Sequence, residues 1–111
     1  MAKRVFITCD RIGRDNEELG RALMKNFIYS LARNDEAPKA VMLMNDGVRL
    51  ACTGSASVDD LALLAENGVT VKACGTCLDY LGLTDQLAVG TVGVMPDSVA
   101  ALIADDVLTV G

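Results

Sequence analysis

The chain contains no histidine. That absence removes a Ser-His-Asp triad, a Cys-His pair and any histidine-ligated metal from consideration. There is no tryptophan either, and aromatic residues make up only 4%, so no stacking platform for nucleic-acid bases is available. The net charge of -5 is the wrong sign for general nucleic-acid binding, which needs a basic face. No apolar run approaches the roughly 20 residues that span a bilayer. The start, Met1-Ala2-Lys3-Arg4, leads directly into a strand pattern. It has neither the apolar core nor the small-residue cleavage site of a secretory signal, so the expected location is the cytoplasm, with no membrane partner.

What is present is apolar bulk. Hydrophobic residues account for 51% of the chain and the mean hydropathy is +0.34, as expected for a sheet buried on both faces. The 111 residues give room for one core, hence a single domain over residues 1–111. Strand and helix patterns alternate. Val5 to Thr8 reads as the first strand. Asp15 to Ala32 reads as a helix, capped by Asp15 with Glu18 as reciprocal partner and carrying an inner stripe of Leu19, Leu23, Phe27 and Leu31. Lys39 to Met44 is the second strand, Asn45-Asp46-Gly47 a turn, and Val48 to Cys52 a short helix. Ser57 caps the next helix with Asp60 at its third position; Leu61, Leu64 and Ala65 form the inner face and Asn67-Gly68 ends it. Val69 to Ala73 is the third strand, Thr84 to Leu87 one helical turn, and Ala88 to Val92 the fourth strand. Pro96 opens a last helix to about Ala104, before a fifth strand over Val107 to Val110. Strands separated by helices predict an α/β fold: a mainly parallel five-stranded sheet in a three-layer α/β/α arrangement.

In open parallel sheets the functional crevice lies beyond the carboxyl ends of the strands. Cys74-Gly75-Thr76-Cys77 falls there, between the third strand and a short helix that stops at Gly82. With histidine absent, cysteine is the strongest nucleophile the composition offers. Thr76 and Asp79 form a T-x-x-D capping pattern, which places Cys77 in the first helical turn and Cys74 just before it. A helix N-terminus favours the reactive thiolate, whereas Asp79 opposes it. Arg11 and Arg14, in the loop Cys9 to Arg14, offset Asp79 if the first strand neighbours the third. Cys9, Arg11, Arg14, Thr76 and Met95 are therefore candidates for binding substrate or shaping the site. Cys52 reads as a small core hydrophobe, and the same plain reading competes for Cys9. Met42 and Met44 read as core. One C-x-x-C pair falls short of the four ligands of a structural zinc site; Cys9 and a carboxylate are the nearest completion. Neither a metal nor another cofactor is expected.

Gly75-Thr76-Cys77-Leu78-Asp79-Tyr80 with Gly82-Leu83, followed by Leu87-Ala88-Val89-Gly90, resembles the DsrE/DsrF-like family, and within it the DsrE-like domain of YedF-type proteins, which are sulfurtransferase-like and associated with selenium metabolism. Glu17-Glu18-Leu19-Gly20, Asn45-Asp46-Gly47-Val48, Gly54-Ser55 and Glu66-Asn67-Gly68-Val69 extend the likeness over essentially the whole chain. The resemblance implies a three-layer α/β/α fold, homo- or hetero-oligomers and, in sulfur-relay members, a persulfide on the cysteine that corresponds to Cys74. Cys77 belongs to the YedF-like pattern. The Cys-Pro carrier domain usual in YedF-type proteins is not seen here, so a sulfur donor or acceptor protein is expected in trans. The stretch Gly93 to Asp97 also departs from the family's usual Asn-Met-Tyr.

The expected function is thus a cytosolic sulfur-relay or sulfurtransferase-like protein. Cys74 carries the sulfane sulfur, and Cys77 resolves the persulfide or tunes Cys74. Two other readings stand beside it: a dithiol-disulfide redox protein, and a non-enzymatic, oligomeric interaction subunit with inert cysteines.

Overall fold

A computed structural model describes residues 3–111; Met1 and Ala2, part of the amino-terminal stretch read above, lie outside the described residues. The strands are β1 (Arg4–Ile7), β2 (Ala40–Leu43), β3 (Thr70–Cys74), β4 (Thr91–Gly93) and β5 (Val107–Val110). The helices are α1 (Glu17–Ala32), α2 (Val58–Glu66), α3 (Gly75–Leu81) and α4 (Met95–Ala104). A 3-10 segment, Asn45–Ala51, follows β2, and a single 3-10 turn, Thr84–Gln86, follows α3.

All four strand pairings are parallel, in the order β4-β3-β2-β1-β5. The α/β expectation is met. β2 is central and buried at every position, which is why Ala40-Val41-Met42-Leu43 is an unbroken apolar run instead of an alternating one. Register aligns Val5, Val41 and Val71, and then Ile7, Leu43 and Ala73. These residues join Met24 and Ile28 of α1 and Leu61 and Leu64 of α2 in one buried cluster. Full burial of each large aliphatic side chain contributes about 1.5–3 kcal/mol. The opposite face, with Arg4, Ala40, Met42, Thr70 and Lys72, lies across a 370 Å³ cavity from Asp97, Ser98 and Ala101 of α4.

Several local expectations are corrected. Asn16, not Asp15, caps α1: its side chain accepts the Leu19 N–H at 2.9 Å. The buried stripe is Gly20, Met24, Ile28 and Ala32, one position on from the expected one. Leu19 and Leu23 are exposed, while Phe27 and Leu31 flank the core. The rotation follows from Gly20: its carbonyl accepts the Ile12 N–H at 3.0 Å, and a Cβ there would sit 2.8 Å from the Ile12 oxygen. Only the side-chain-free position can turn toward the loop after β1. Ala65 of α2 is exposed; Asp60 takes the third inward place beside Leu61 and Leu64. Ser57 precedes α2 without making a side-chain cap. β4 begins at Thr91, not Ala88, because the Ala88 and Val89 N–H groups are drawn to the Ala51 carbonyl at 2.8 and 3.3 Å and leave the ladder.

Asp60 has a different role from the helix-capping one its position suggested. Its carboxylate is 5% exposed and accepts from Lys25 Nζ at 2.8 Å and Arg33 Nη1 at 3.0 Å, tying α2 to α1. Burial pushes the Asp60 carboxyl up, but the hydrogen bonds from Lys25 and Arg33 outweigh it and hold the group below the usual carboxylate range. A folded-state pKa that is depressed contributes stability above the unfolded value, near pH 3.9, and loses it as pH falls through the lower folded value. Asp60→Asn is expected to cost about 1.5–3 kcal/mol in urea unfolding at neutral pH. The gap between variant and parent should close below about pH 4; a gap that persists unchanged into strong acid counts against the clamp.

Candidate functional site

The sheet order decides which loops meet. β2 lies between β1 and β3, so the loop after β1 does not adjoin the cysteine motif. Cys9, Arg11 and Arg14 line a separate cavity with Gly13 and Gly111. Arg11 is engaged by Glu17 at 2.8 Å, and the condition under which the two arginines would activate the thiols is not met. Met95 opens α4 and is 49% exposed. Of the candidate residues, the structure brings together Cys74, Thr76 and Cys77.

Cys74 ends β3 and is the N-cap position of α3, and the residue is only 6% exposed. Cys77, three residues on, is half-buried and borders a cavity of about 480 Å³ with Asn45, Asp46, Thr76, Tyr80 and Leu81. The T-x-x-D cap does not form. Thr76 lies inside the first turn, and Asp79 instead accepts from the Thr84 hydroxyl at 2.5 Å, bracing the end of α3. Tyr80 stands at the cavity rim, 89% exposed. Cys52 is buried and donates to the Val48 carbonyl at 3.2 Å; burial pushes its thiol up, with Arg49 opposing. This is the plain core cysteine that was expected.

The contact that the residue pattern did not reveal comes from the turn after β2. The Asn45 backbone N–H donates to Cys77 Sγ at 3.1 Å. Asn45 is at φ 53, the sole non-glycine residue in the left-handed region among the described residues. Its side-chain oxygen accepts the Asp46 N–H at 2.9 Å, and Asp46 in turn pairs with Arg49 at 2.9 Å. Gly47 seats this segment against the end of β1: a Cβ there would collide with the Ile7 carbonyl. The signal was present but indirect. Consecutive strands of a parallel sheet usually adjoin, which puts the Asn45-Asp46-Gly47 turn beside the cysteine motif.

Burial pushes the Cys77 thiol up, the neighbouring Cys74 thiol adds to the rise, and the Asn45 N–H pulls the other way. The net direction is upward, so Cys77 rests as a thiol at neutral pH. The arrangement is a dithiol with one reachable sulfur and one sheltered sulfur behind it. Among the described residues, no group of three or more cysteine or acidic side chains comes together as a metal-binding set.

Residues 18–109 match the DsrE/DsrF-like family. The chain belongs to that family. DsrE/DsrF-like proteins are associated with sulfur relay. No curated protein matches the chain. Among solved structures it is similar to the ychN protein from E. coli, with a TM-score of 0.72 and 21% identity over 98% of this chain and 99% of that one. It is also similar to MTH1491 from Methanobacterium thermoautotrophicum (TM-score 0.64, 21% identity, 98% and 99% covered), a protein of unknown function. A third likeness is to BT1422 from Bacteroides thetaiotaomicron, another conserved protein of unknown function (TM-score 0.64, 15% identity, 97% and 95% covered). These identities speak to the fold alone. This member of the family has no helix, among the described residues, long and apolar enough to cross a membrane.

Iodoacetamide labelling resolved by peptide mass should modify Cys77 before Cys74 or Cys52. The Cys77 rate should climb about tenfold per pH unit through the free-cysteine pKa near 8.5 and level off only above it. Cys74→Ala removes a group that raises the Cys77 pKa and should move that profile to lower pH. Faster labelling of Cys74 than of Cys77 in the folded protein would contradict this ranking.

Proposed function

We propose that this protein is a sulfur carrier of the cytoplasm in which Cys77 takes the sulfane sulfur and Cys74 resolves it. The observation that carries the reading is the half-buried Cys77 sulfur, held by the Asn45 amide at 3.1 Å and bordering an open cavity, with the Cys74 thiol as its neighbour. The assignment exchanges the roles that the family resemblance gives the two cysteines. A carrier thiol must meet a donor protein, and Cys74 is the more deeply enclosed of the pair. The likeness of the cysteine block to YedF-type proteins supports sulfur transfer as the chemistry.

Loading needs no outside oxidant. The Cys77 thiolate attacks the outer sulfur of a donor persulfide, R–S–SH. The new S–S bond to Cys77 forms as the donor's S–S bond breaks, and the donor leaves as R–S⁻, which takes up the proton that Cys77 lost. The products are the Cys77 persulfide and R–SH. An acceptor thiolate removes the terminal sulfur in the same way. Alternatively, the Cys74 thiolate attacks the inner sulfur of Cys77, which expels hydrosulfide and leaves a Cys74–Cys77 disulfide. That second exit gives the dithiol-disulfide reading a place as the discharged state of the same pair.

The partners in this reading are a donor or acceptor protein in trans and further copies of the chain. Met95, Val99 and Ile103 of α4 recur every four residues and are 49, 48 and 81% exposed. A continuous apolar stripe of this kind marks an interface, and a self-complementary contact between copies covers it.

Incubation with a persulfide donor followed by intact-protein mass spectrometry should show the gain of one sulfur atom. Cys77→Ser should abolish it. Cys74→Ser should retain the adduct and lengthen its lifetime, because the internal exit is closed. A parent protein that never gains sulfur from any protein-bound or small persulfide overturns the carrier role. For the interface, Ile103→Glu should reduce the sedimentation mass to that of one chain; a parent already monomeric at high concentration removes the oligomer from the reading.

A further inference from the structure

The left-handed turn at Asn45 has a use beyond connecting β2 to the 3-10 segment. We infer that Asn45 is a positioning residue whose left-handed backbone aims its amide at Cys77 Sγ and so sets how readily that sulfur ionises. This role rests on the carrier reading of Cys77, although its test does not.

Three observations converge on it. Asn45 is at φ 53 while its neighbours before and within the 3-10 segment are ordinary. L-residues are disfavoured there, and asparagine is among the few side chains that tolerate it. The amide presented by that turn points at sulfur, at 3.1 Å, instead of at a carbonyl. The side chain supports the same turn by accepting the Asp46 N–H at 2.9 Å. The turn is held from behind as well: Gly47 packs on the Ile7 carbonyl, and the Met44 N–H donates to that carbonyl at 3.0 Å.

Physical chemistry gives the direction. An N–H donor interacts about twice as strongly with an anionic acceptor as with a neutral one. The Asn45 amide therefore favours the Cys77 thiolate over the thiol and opposes the upward push of burial. The titratable groups facing Cys77 are Cys74 at the end of β3, Asp46 in the 3-10 segment and Tyr80 in α3. None of these is a cation. Lys72, the cation nearest in sequence to Cys77, lines the cavity under α4 instead, and Arg49 is committed to Asp46. The backbone amide is thus the favourable partner that the site itself supplies to the anion.

The test compares substitutions that keep or break the left-handed turn. Asn45→Gly adopts the conformation freely; Asn45→Val resists it through its branched side chain. The readout is the pH profile of iodoacetamide labelling at Cys77, read by peptide mass, with folding checked by circular dichroism. Asn45→Gly should keep the parent profile. Asn45→Val should label about tenfold more slowly at pH 7, equal to a rise of roughly one pKa unit. If Asn45→Val does not fold, Asn45→Ala replaces it: Ala and Gly both lack the side-chain cap, so slower labelling of Ala isolates the backbone effect. Identical profiles for Gly and for the folded Val or Ala variant overturn the proposal, as does equal slowing of Gly. The labelling profile needs no persulfide, so a failure of sulfur loading with an intact Gly–Val difference discards the carrier reading and leaves the positioning role.

Discussion

The parallel ladder between β2 and β3 is the constraint on which the rest of the molecule depends. It pairs Ala40 with Thr70 through Leu43 with Ala73, in the middle of a sheet covered on both sides. The two strands therefore end level with each other. One residue past Leu43 and Met44 the chain turns at Asn45; immediately past Ala73 it presents Cys74 and enters α3. The level ends bring a backbone amide from one loop to a sulfur from the next. A register slip of a single residue would invert the faces of β3, expose Val71 and Ala73, and separate Asn45 from Cys77. The buried aliphatic cluster under α1 and α2 thus protects the geometry of the site as well as the stability of the fold.

Cys77 is balanced between opposing effects. Burial and the adjacent Cys74 thiol keep it protonated, while the Asn45 N–H favours the anion. For a carrier this balance has a use. A thiolate exposed at all times is open to oxidation, whereas a sulfur that rests as a thiol is less exposed to it. The exposed Tyr80 at the rim and the apolar stripe on α4 are surfaces that partner chains can cover. The Asp60 clamp between α1 and α2 lies among the supporting helices, so the acid sensitivity it confers belongs to folding and not to the chemistry of sulfur.

Much of the fold was legible in the residues because burial leaves a periodic imprint. The alternation of apolar runs with capped helical segments specified five strands and their parallel arrangement, and the strand-turn-helix setting of Cys74 to Cys77 was visible as a chemical locus. What failed did so for identifiable reasons. The inner stripe of α1 was displaced by one residue because hydrophobicity marks a broad face, while the close approach at Gly20 selects the row within it. Asp60 had the position of a helix cap, and two cations 35 and 27 residues away in sequence, Lys25 in α1 and Arg33 at its C-terminal end, gave it a different role. β4 was shortened by hydrogen bonds to Ala51 that no local pattern encodes.

Composition narrowed the chemistry: with no histidine and two cysteines at a sheet edge, cysteine sulfur is the strongest nucleophile the chain offers. Identity and spacing along the chain carry that information, because they determine which functional groups exist and which secondary structure places them. Which sulfur meets solvent, which loop supplies its hydrogen bond, and that Arg11 and Arg14 stand apart from it were decided by tertiary structure. These are distances between segments far apart in sequence. They follow from the order and register in which β1, β2 and β3 assemble, a property of the packed sheet that no single segment holds.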